Sequence, residues 1–281
     1  MEIKIITDSM SDISEEVAEE YDIEVLHVSI SLDEKYVPTN EADAKQTVEW
    51  MKTNKKFPKF KGIPIETYEG AFKKYVEQGM AILCIVSYSD RISNYNNALF
   101  ASTQFPDAKI QIFDSHQFST SVGLVALQAV AMAKNKSTIS AIVSKLERSM
   151  NKIALLDLID SLEFFEYSGS MSRITAARNA LLNSKFVVTV LEKGKIKTDL
   201  VGHNMDKAVK NYFRAAFENL REIEPNMILL SYTISDEKYF EEMHEYVKSL
   251  RYFEKIIVSS ASVFSTAYTG PNCLKIAYQL K

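Results

Sequence analysis

Residues 82–123 read ILCIVSYSDRISNYNNALFASTQFPDAKIQIFDSHQFSTSVG, and this stretch decides the fold. It opens with a short apolar run, residues 82–86, which stops at a polar loop, residues 87–97. Four to eight apolar residues ended by turn-forming residues are typical of a buried parallel strand. A second such run, residues 110–113, ends at Asp114 and leads through another hydroxyl-rich loop into a helical pattern. Because ligands bind beyond the carboxyl ends of the strands in an open α/β sheet, we expect the functional site there.

The composition is that of an ordinary globular protein. The chain has 281 residues, of which 46% are hydrophobic and 25% charged, and its formal net charge is −4. An acidic balance without a stripe of Lys and Arg argues against nucleic acid as a partner. The apolar runs fall far short of the ~20 residues that a membrane-spanning helix needs, so we expect no stable membrane insertion. The N-terminus enters a strand at once, which predicts no signal peptide and a cytoplasmic location.

The cysteines and histidines show no metal-binding pattern. Cys84 and Cys273 lie far apart, and the four His, at positions 27, 116, 203 and 244, have no spacing typical of ligands to one metal. We therefore expect two buried thiols, no metal site and no cofactor. Neither G-x-G-x-x-G nor G-x-x-x-x-G-K-[ST] occurs, so the sequence gives no support to nucleotide binding by those loops.

The alternation of strands and helices predicts an α/β fold with two domains. In the first half, the predicted strands are residues 4–7, 24–30, 82–86 and 110–113, and the predicted helices are residues 15–21, 42–52, 67–78, from 98, from 120, and 139–150. In the second half, the predicted strands are residues 154–159, 186–191, 196–200, 227–233, 255–259 and 277–280, and the predicted helices are residues 162–165, 174–182, 207–220 and 236–250. Ser14, Asn40 and Thr138 are the expected helix caps.

The second half differs from the first because it contains a β-hairpin, with its turn at residues 192–195. We therefore predict an N-terminal doubly wound parallel-sheet domain, residues 1–153, and a C-terminal mixed α+β domain, residues 154–281. A ligand pocket is expected between them.

Several motifs have a structural explanation beside a functional one. Residues 7–9, Thr-Asp-Ser, and residues 269–271, Thr-Gly-Pro, are consistent with turns. Asp114, Ser115 and His116 place an acid, a hydroxyl and a base side by side, but neighbours in sequence rarely meet in space as a catalytic triad. The hydroxyl-rich loops and helix N-termini favour a small anion, and the abundant apolar residues favour a buried chain, so an amphiphile with an anionic head fits both.

Six segments, taken in order, resemble the DegV family of bacterial fatty-acid-binding proteins over essentially the whole chain. They are KIITDSMSD (residues 4–12), the loop around Pro64, VSYSDRISNYNNA (86–98), FDSHQFSTSVGLVALQAV (113–130), LEFFEYSGSMSRITAARNALLNSKFVVTVLEKGKI (162–196) and AYTGPN (267–272). The resemblance implies one long-chain fatty acid, with its acyl chain buried in the first domain and its carboxylate at the inter-domain cleft. It also implies a binding subunit, not an enzyme, that presents the fatty acid to a separate fatty acid kinase subunit for phosphorylation and phospholipid synthesis.

The chain departs from the family pattern around the expected head group. Where the family has Thr-Ser-Gln-Pro-Ser, residues 61–65 read Lys-Gly-Ile-Pro-Ile, so Lys61 replaces a hydroxyl and could pair with the carboxylate. The Leu-Ser-Gly-Thr loop of the family corresponds to residues 92–95, which keep Ser93 as the expected carboxylate donor.

Further departures concern the partner. Arg173 occupies the family's loop Arg position and is the expected contact for the kinase subunit. Tyr268 stands at a family His, and His203 or Asn204 at a family Arg, which weakens the case for phosphotransfer.

The secondary candidates for binding the carboxylate are Asn94, Thr269 and Gly270, through their backbone amides. Two alternatives stay open: a lipid sensor or storage protein without a kinase partner, and a small-anion hydrolase that uses Asp8, Asp114, Ser115 and His116.

Overall fold

The structure is a computed structural model that describes residues 1–88, 92–170, 183–190, 196–234 and 237–281. The strands, in chain order, are β1 (Ile3–Asp8), β2 (Ile23–Leu26), β3 (Ser29–Ser31), β4 (Val37–Pro38), β5 (Lys59–Lys61), β6 (Ala81–Val86), β7 (Ile110–Asp114), β8 (Ile153–Ile159), β9 (Lys185–Val190), β10 (Ile196–Gly202), β11 (Ile223–Tyr232), β12 (Ile256–Ser260) and β13 (Leu274–Leu280). The α-helices are α1 (Glu15–Tyr21), α2 (Ala44–Asn54), α3 (Ile65–Val76), α4 (Asn94–Ser102), α5 (Thr120–Lys134), α6 (Ile139–Ser149), α7 (Glu163–Tyr167), α8 (Met205–Phe217), α9 (Glu237–Ser249) and α10 (Val263–Thr269).

The first sheet is fully parallel, with the strand order β2-β1-β6-β7. Every residue of β6 is buried, as expected of a central strand covered on both faces. The predicted strands at residues 82–86 and 110–113 are therefore confirmed, but only the first is buried throughout, because β7 is an edge strand in which Gln111 is exposed. Their carboxyl ends bring Asp8, Ser87 and Asp114 to one edge of the sheet.

A small antiparallel sheet, in the order β4-β3-β5, is formed by the part of the chain between β2 and β6. It corrects two predictions. Residues 24–30 are not one strand, because the N–H of Val28 donates to the Ser9 hydroxyl (3.1 Å) and the chain then changes sheets. Residues 54–65 are not all loop, since Lys59–Lys61 pairs with β3.

The third sheet is mixed and has the order β10-β9-β8-β13-β11-β12 in the described part of the chain. Antiparallel pairing of β9 with β10 confirms the predicted hairpin, although its turn, residues 192–195, lies outside the described residues. The predicted helix at residues 174–182 also lies outside them. Strand β13 pairs with β8 and β11 and is longer than the predicted residues 277–280. The prediction is too short because Lys275, which is buried, interrupts the apolar pattern of the strand.

Helix α5 lies between the parallel sheet and the mixed sheet. Its residues 120–127 are all buried, and one hydrophobic cluster joins them to Leu83 and Ile85 of β6 and to Leu229 and Ala277 of the third sheet. A helix that is apolar all round is expected in such a position. The core is therefore continuous from the first half of the chain to the second.

The other helices follow the predictions with shifted ends. Ser14 and Thr138 cap α1 and α6 as predicted, but Asp43, not Asn40, caps α2 by accepting a hydrogen bond from the N–H of Gln46 (2.7 Å). Helix α4 begins at Asn94, four residues before the expected start. Helix α10 was not predicted. The α/β fold with a parallel sheet and a separate mixed sheet is confirmed.

Candidate ligand site

The carboxylate of Asp8 organises the polar end of the candidate site. Its two oxygens accept hydrogen bonds from the N–H of Met10 (3.0 Å), the N–H and hydroxyl of Ser87 (2.8 and 2.7 Å) and the side-chain amide of Asn94 (3.2 Å). The side chain is fully buried, and burial raises the pKa of the carboxyl while these hydrogen bonds oppose the shift. Asp8 thereby holds the ends of β1 and β6 against the start of α4.

The Asn94 side chain links Asp8 to the loop before α3. Its side-chain oxygen accepts a hydrogen bond from the N–H of Ile63 (3.0 Å), and the Asn97 amide donates to the Ile63 carbonyl (2.8 Å). Asn94 itself is buried, whereas Ser93 is exposed at the helix start. The first backbone N–H groups of a helix have no partner within it, so the start of α4 offers donors to an anion.

The backbone at Gly62 packs closely against the start of α4. A β-carbon at this position would lie 2.8 Å from Ile92 Cγ2 and 2.9 Å from both Ser93 Oγ and Asn94 Oδ1. A side chain at this position would require at least one of these three side chains to move. The structure thus brings the predicted residues Ser93 and Asn94 together with the loop that follows Lys61.

Lys61 is exposed, and its ammonium lies 4.0 Å from the centre of the Tyr36 ring. Such a cation–π contact contributes about 0.5–1 kcal/mol at an exposed site. The ammonium therefore has a partner in the structure, and its pairing with a carboxylate stays a prediction. Arg173, the predicted partner contact, lies outside the described residues.

A second polar centre, Asp12, joins the two halves of the chain. One carboxylate oxygen accepts hydrogen bonds from the hydroxyls of Ser119, Thr120 (3.0 Å) and Ser265 (2.9 Å). The other accepts from the N–H and hydroxyl of Ser262 (2.9 and 3.0 Å). Asp12 thus fixes the starts of α5 and α10 against each other.

The predicted residues Thr269 and Gly270 lie at the end of α10. The Thr269 hydroxyl donates to the carbonyl of Ser265 (3.0 Å), and the Gly270 N–H donates to that of Thr266 (2.8 Å). The Gly270 amide is therefore already engaged within the helix end. Thr269 is buried and lines the cavity described next, so its contribution is to the wall of that cavity.

An apolar cavity of about 80 Å³ lies between the two halves. Most of its lining comes from the second half, from α10 and from strands of the third sheet, which differs from the expected position inside the first domain. The lining residues are Met10, Phe118, Ser119, Leu155, Asp157, Phe165, Ser170, Val188, Phe264, Ser265, Tyr268, Thr269 and Lys275.

Met10 connects the cavity to the polar end of the site. Its sulfur lies 4.0 Å from the Asn94 side-chain nitrogen, and its side chain lines the cavity. A cluster of four rings, Phe57, Phe60, Phe264 and Tyr268, packs β5 and the segment before it against α10, with centroid separations of 4.6–5.8 Å. The sequence does not identify Met10 or these rings as site residues, since isolated apolar residues carry no signal of what they line.

The cavity also contains a buried ion pair. Lys275 Nζ lies 2.9 Å from Asp157 Oδ2, and both side chains are at least 95% buried. The two residues face each other in the antiparallel pairing of β8 and β13. Burial raises the pKa of the Asp157 carboxyl, and the ammonium of Lys275 opposes this shift.

The geometry at residues 114–116 is that of a turn and does not support the hydrolase alternative. The Ser115 hydroxyl is buried, donates to the Val86 carbonyl (2.8 Å) and accepts from the N–H of Gln117 (3.2 Å). The His116 N–H donates to Asp114 (2.8 Å), and its ring is exposed. Because Ser115 is directed at the backbone, these residues do not form a nucleophile–base pair.

Cys84 and Cys273 are buried and free, as predicted, and burial raises the pKa of the Cys273 thiol to about 12. Within the described residues, no group of three His, Cys, Asp or Glu side chains is arranged to hold a metal ion. In that same part of the chain, no helix is both long and apolar enough to cross a membrane.

These features define a class of protein: a parallel sheet and a mixed sheet, packed through one shared helix, with an apolar cavity beside a hydrogen-bonded helix start. The chain belongs to the DegV family, since the family model described as "Uncharacterised protein, DegV family" matches residues 2–281. The resemblance seen in the sequence is therefore confirmed.

Individual relatives agree with this assignment. A DegV domain-containing protein of Clostridium perfringens is 25% identical over 98% of this chain and 96% of its own length. A stearic acid-binding protein from Eubacterium ventriosum has a solved structure that is 25% identical and covers 99% of this chain and 98% of its own, with a TM-score of 0.83. The Streptococcus pneumoniae Fatty Acid Kinase (Fak) B3 protein, loaded with linoleic acid, is 18% identical and covers both chains fully, with a TM-score of 0.79, and shares the fold.

Proposed function

We propose that this protein binds a long-chain fatty acid non-covalently, with the acyl chain in the cavity between its halves and the carboxylate at the start of α4. The observation that carries the proposal is that Met10 lies on the wall of the apolar cavity and beside Asn94 at the polar end. A fatty acid that extends from the cavity past Met10 to Asn94 would have its acyl chain among apolar side chains and its carboxylate beside hydrogen-bond donors. The stearic acid-binding relative supports the same ligand class.

The carboxylate is held by donors at the helix start. Ser93 Oγ and the first backbone N–H groups of α4, including that of Asn94, supply hydrogen bonds to an anion. Lys61 lies one residue before Gly62, whose position is fixed against Ser93. In this proposal its ammonium leaves the Tyr36 ring and pairs with the ligand carboxylate.

The cavity must enlarge when a long chain enters. Its volume of about 80 Å³ is smaller than the ~150 Å³ that suffices for one benzene molecule. The side chains able to move aside are aromatic and line the cavity: Phe118, Phe165 and Phe264. Because the interior is otherwise close-packed, chain length and unsaturation depend on how far these rings move.

We infer further that the bound fatty acid is presented to a separate kinase subunit in the cytoplasm, which phosphorylates its carboxylate. The shared fold with the Fak B3 protein supports this inference, and Arg173 is the proposed contact. Tyr268 and His203 replace family basic residues, which favours the alternative of a lipid sensor or storage protein. Acyl phosphate formation from protein, kinase subunit, ATP and fatty acid decides between the two.

The binding proposal is tested by native mass spectrometry of protein purified without added lipid, followed by extraction. We expect the mass of one long-chain fatty acid per chain, or its uptake when offered to delipidated protein. Ser93→Ala should weaken binding about tenfold or more, as expected for a hydrogen bond to a charged group. Ser102→Ala, at the other end of α4, is the matched control and should bind as the wild type does. Folded protein that takes up no fatty acid would overturn the proposal.

A further inference from the structure

The buried ion pair in the cavity is not needed to bind a saturated acyl chain. Asp157 and Lys275 line a space whose other walls are mainly apolar. Their side chains are 5% and 0% exposed, so water does not solvate the charges. Placing two charges against a hydrocarbon chain weakens binding unless the ligand offers a group that the charges can use.

One oxygen of this pair is unsatisfied. Asp157 Oδ2 accepts from Lys275, but Asp157 Oδ1 is buried and has no hydrogen-bond partner among the described residues. Buried carboxylate oxygens almost always have a donor, because an unmet acceptor keeps its full desolvation cost. The structure therefore leaves one acceptor without a donor on a residue that lines the ligand space.

None of the hydroxyls on the described residues that line the cavity donates to Asp157 Oδ1, and three of them donate elsewhere. Ser119 and Ser265 both donate to Asp12, and Thr269 donates to the carbonyl of Ser265. These three protons are thus donated to Asp12 and to the backbone of α10. The missing donor is one that a ligand brings.

The donor should be neutral. The ion pair has no net charge, so a carboxylate would be repelled by the free oxygen of Asp157, and an ammonium would stand beside the ammonium of Lys275. A hydroxyl provides one proton, and its own oxygen can accept a hydrogen bond in turn.

Resting on the fatty-acid function above, we propose that the preferred ligand is a fatty acid with a hydroxyl group within its acyl chain, whose O–H donates to Asp157 Oδ1. Asp157 stands at a fixed depth in the cavity, on β8, so it recognises the hydroxyl at one position along the chain. The protein then discriminates hydroxylated chains by the place of the hydroxyl.

The test compares stearic acid with monohydroxystearic acids that carry the hydroxyl at successive carbons. Binding to delipidated wild-type protein is measured by displacement of a fluorescent fatty acid. We expect one regioisomer to bind about tenfold or more tightly than stearic acid, as for a hydrogen bond to a charged acceptor. The methyl ether of that isomer has the same oxygen but no donor, and it should lose the preference.

A double variant removes the acceptor while keeping the volume of the pair. In Asp157→Leu/Lys275→Met the preference should vanish and stearic acid should still bind, because buried ion pairs can be replaced by apolar residues without loss of stability. The control is Asp160→Leu/Lys185→Met. It removes another ion pair, in which Lys185 Nζ lies 2.6 Å from Asp160 Oδ1, and neither residue lines the cavity. This variant should keep the preference.

The possible results separate this inference from the proposed function. Stearic acid binding with equal or weaker binding of every hydroxylated isomer would overturn the inference alone, as would a methyl ether that binds as tightly as its alcohol. Failure of folded wild-type protein to bind any of these acids would overturn the proposed function itself. If the double variant does not fold, the comparison of alcohol with ether in the wild type still decides.

Discussion

The Asp8 side chain makes the first prediction at the scale of single residues. Each of its two carboxylate oxygens accepts two hydrogen bonds, from donors on Met10, Ser87 and Asn94. In Asp8→Asn one carboxylate oxygen becomes an NH₂ group that faces two of these donors. We expect the free energy of unfolding at pH 7 to fall by about 2–4 kcal/mol, measured by denaturant titration. Asp107→Asn, at an exposed turn, should stay within about 0.5 kcal/mol of the wild type.

The stability difference between the wild type and Asp8→Asn should also depend on pH. Because the folded-state pKa of Asp8 is raised above its unfolded value, the folded protein holds this proton over a pH range in which the unfolded chain has lost it. The contribution of Asp8 to stability is therefore complete below about pH 3.9 and falls as the pH rises through the folded pKa. The stability difference between wild type and Asp8→Asn should shrink from pH 4 upward and then level off. A difference that grows with pH would show that the shift has the opposite sign.

Lys61 makes the second residue-scale prediction. If its ammonium leaves Tyr36 and pairs with the ligand carboxylate, Lys61→Ala should weaken fatty-acid binding about tenfold, and high salt should reduce this effect. Lys59→Ala, on the same short strand, is the control and should leave the affinity unchanged. Equal affinities of wild type and Lys61→Ala would remove Lys61 from the site.

At the scale of elements, two helical glycines should respond in opposite directions to alanine. In α5, a β-carbon on Gly123 would lie 2.5 Å from the Ser11 carbonyl oxygen and 3.0 Å from Leu229 Cδ2, because the helix is held between two sheets. Gly123→Ala should therefore destabilise the protein by about 1–3 kcal/mol or more. Gly70 in α3 has open space around it, and Gly70→Ala should stabilise by about 0.5–1 kcal/mol. Denaturant unfolding of both variants checks the pair, and a Gly123→Ala protein as stable as the wild type would contradict the close packing of α5.

The elements also show how far the sequence could predict this fold. The strands at residues 82–86 and 110–113 and the caps Ser14 and Thr138 were found because their signals are local. Strand β13 was underestimated because Lys275 is satisfied by Asp157, 118 residues away. Helix α10, VFSTAYT, is not predicted, because all its residues except Ala267 are weak helix formers.

For the candidate site, the sequence predicts Ser93 and Asn94, whose contact with a ligand stays a prediction, but it does not predict the cavity. Polar residues after a strand mark the polar end, whereas Met10, Phe165 and Phe264 become wall residues only when the chain is folded. The assignment of a fatty acid came from the family resemblance, because neither composition nor spacing identifies an acyl chain. The boundary at residue 153 coincides with the passage of the chain into the third sheet at β8, and the division into domains stays a prediction.

At the scale of the whole molecule, the shared helix predicts that the two halves do not fold independently. Residues 1–153 alone would expose the face of α5 that packs against Leu229 and Ala277, and Asp12 would lose the three donors of Ser262 and Ser265. We expect that fragment to lack a cooperative unfolding transition and to bind a hydrophobic dye, as loosely packed states do. The intact chain should unfold in one step, because its core is continuous.

Trp50 makes this measurable, since it is the only Trp of the chain and lies in α2, within the first half. Its side chain packs against a cluster that contains Met51 of α2 together with Phe164 and Ala267 of the second half. Its fluorescence therefore reports on the contact between the halves, whereas far-ultraviolet circular dichroism reports on the helices and strands of both. In denaturant titrations of the intact chain the two signals should give the same midpoint, and the 1–153 fragment should show no sigmoidal change in either. Two separated midpoints, or a fragment that unfolds as sharply as the whole protein, would mean that each half is stable alone. In that case α5 would belong energetically to the parallel sheet, and the contact with the third sheet would be a docking surface between independent domains.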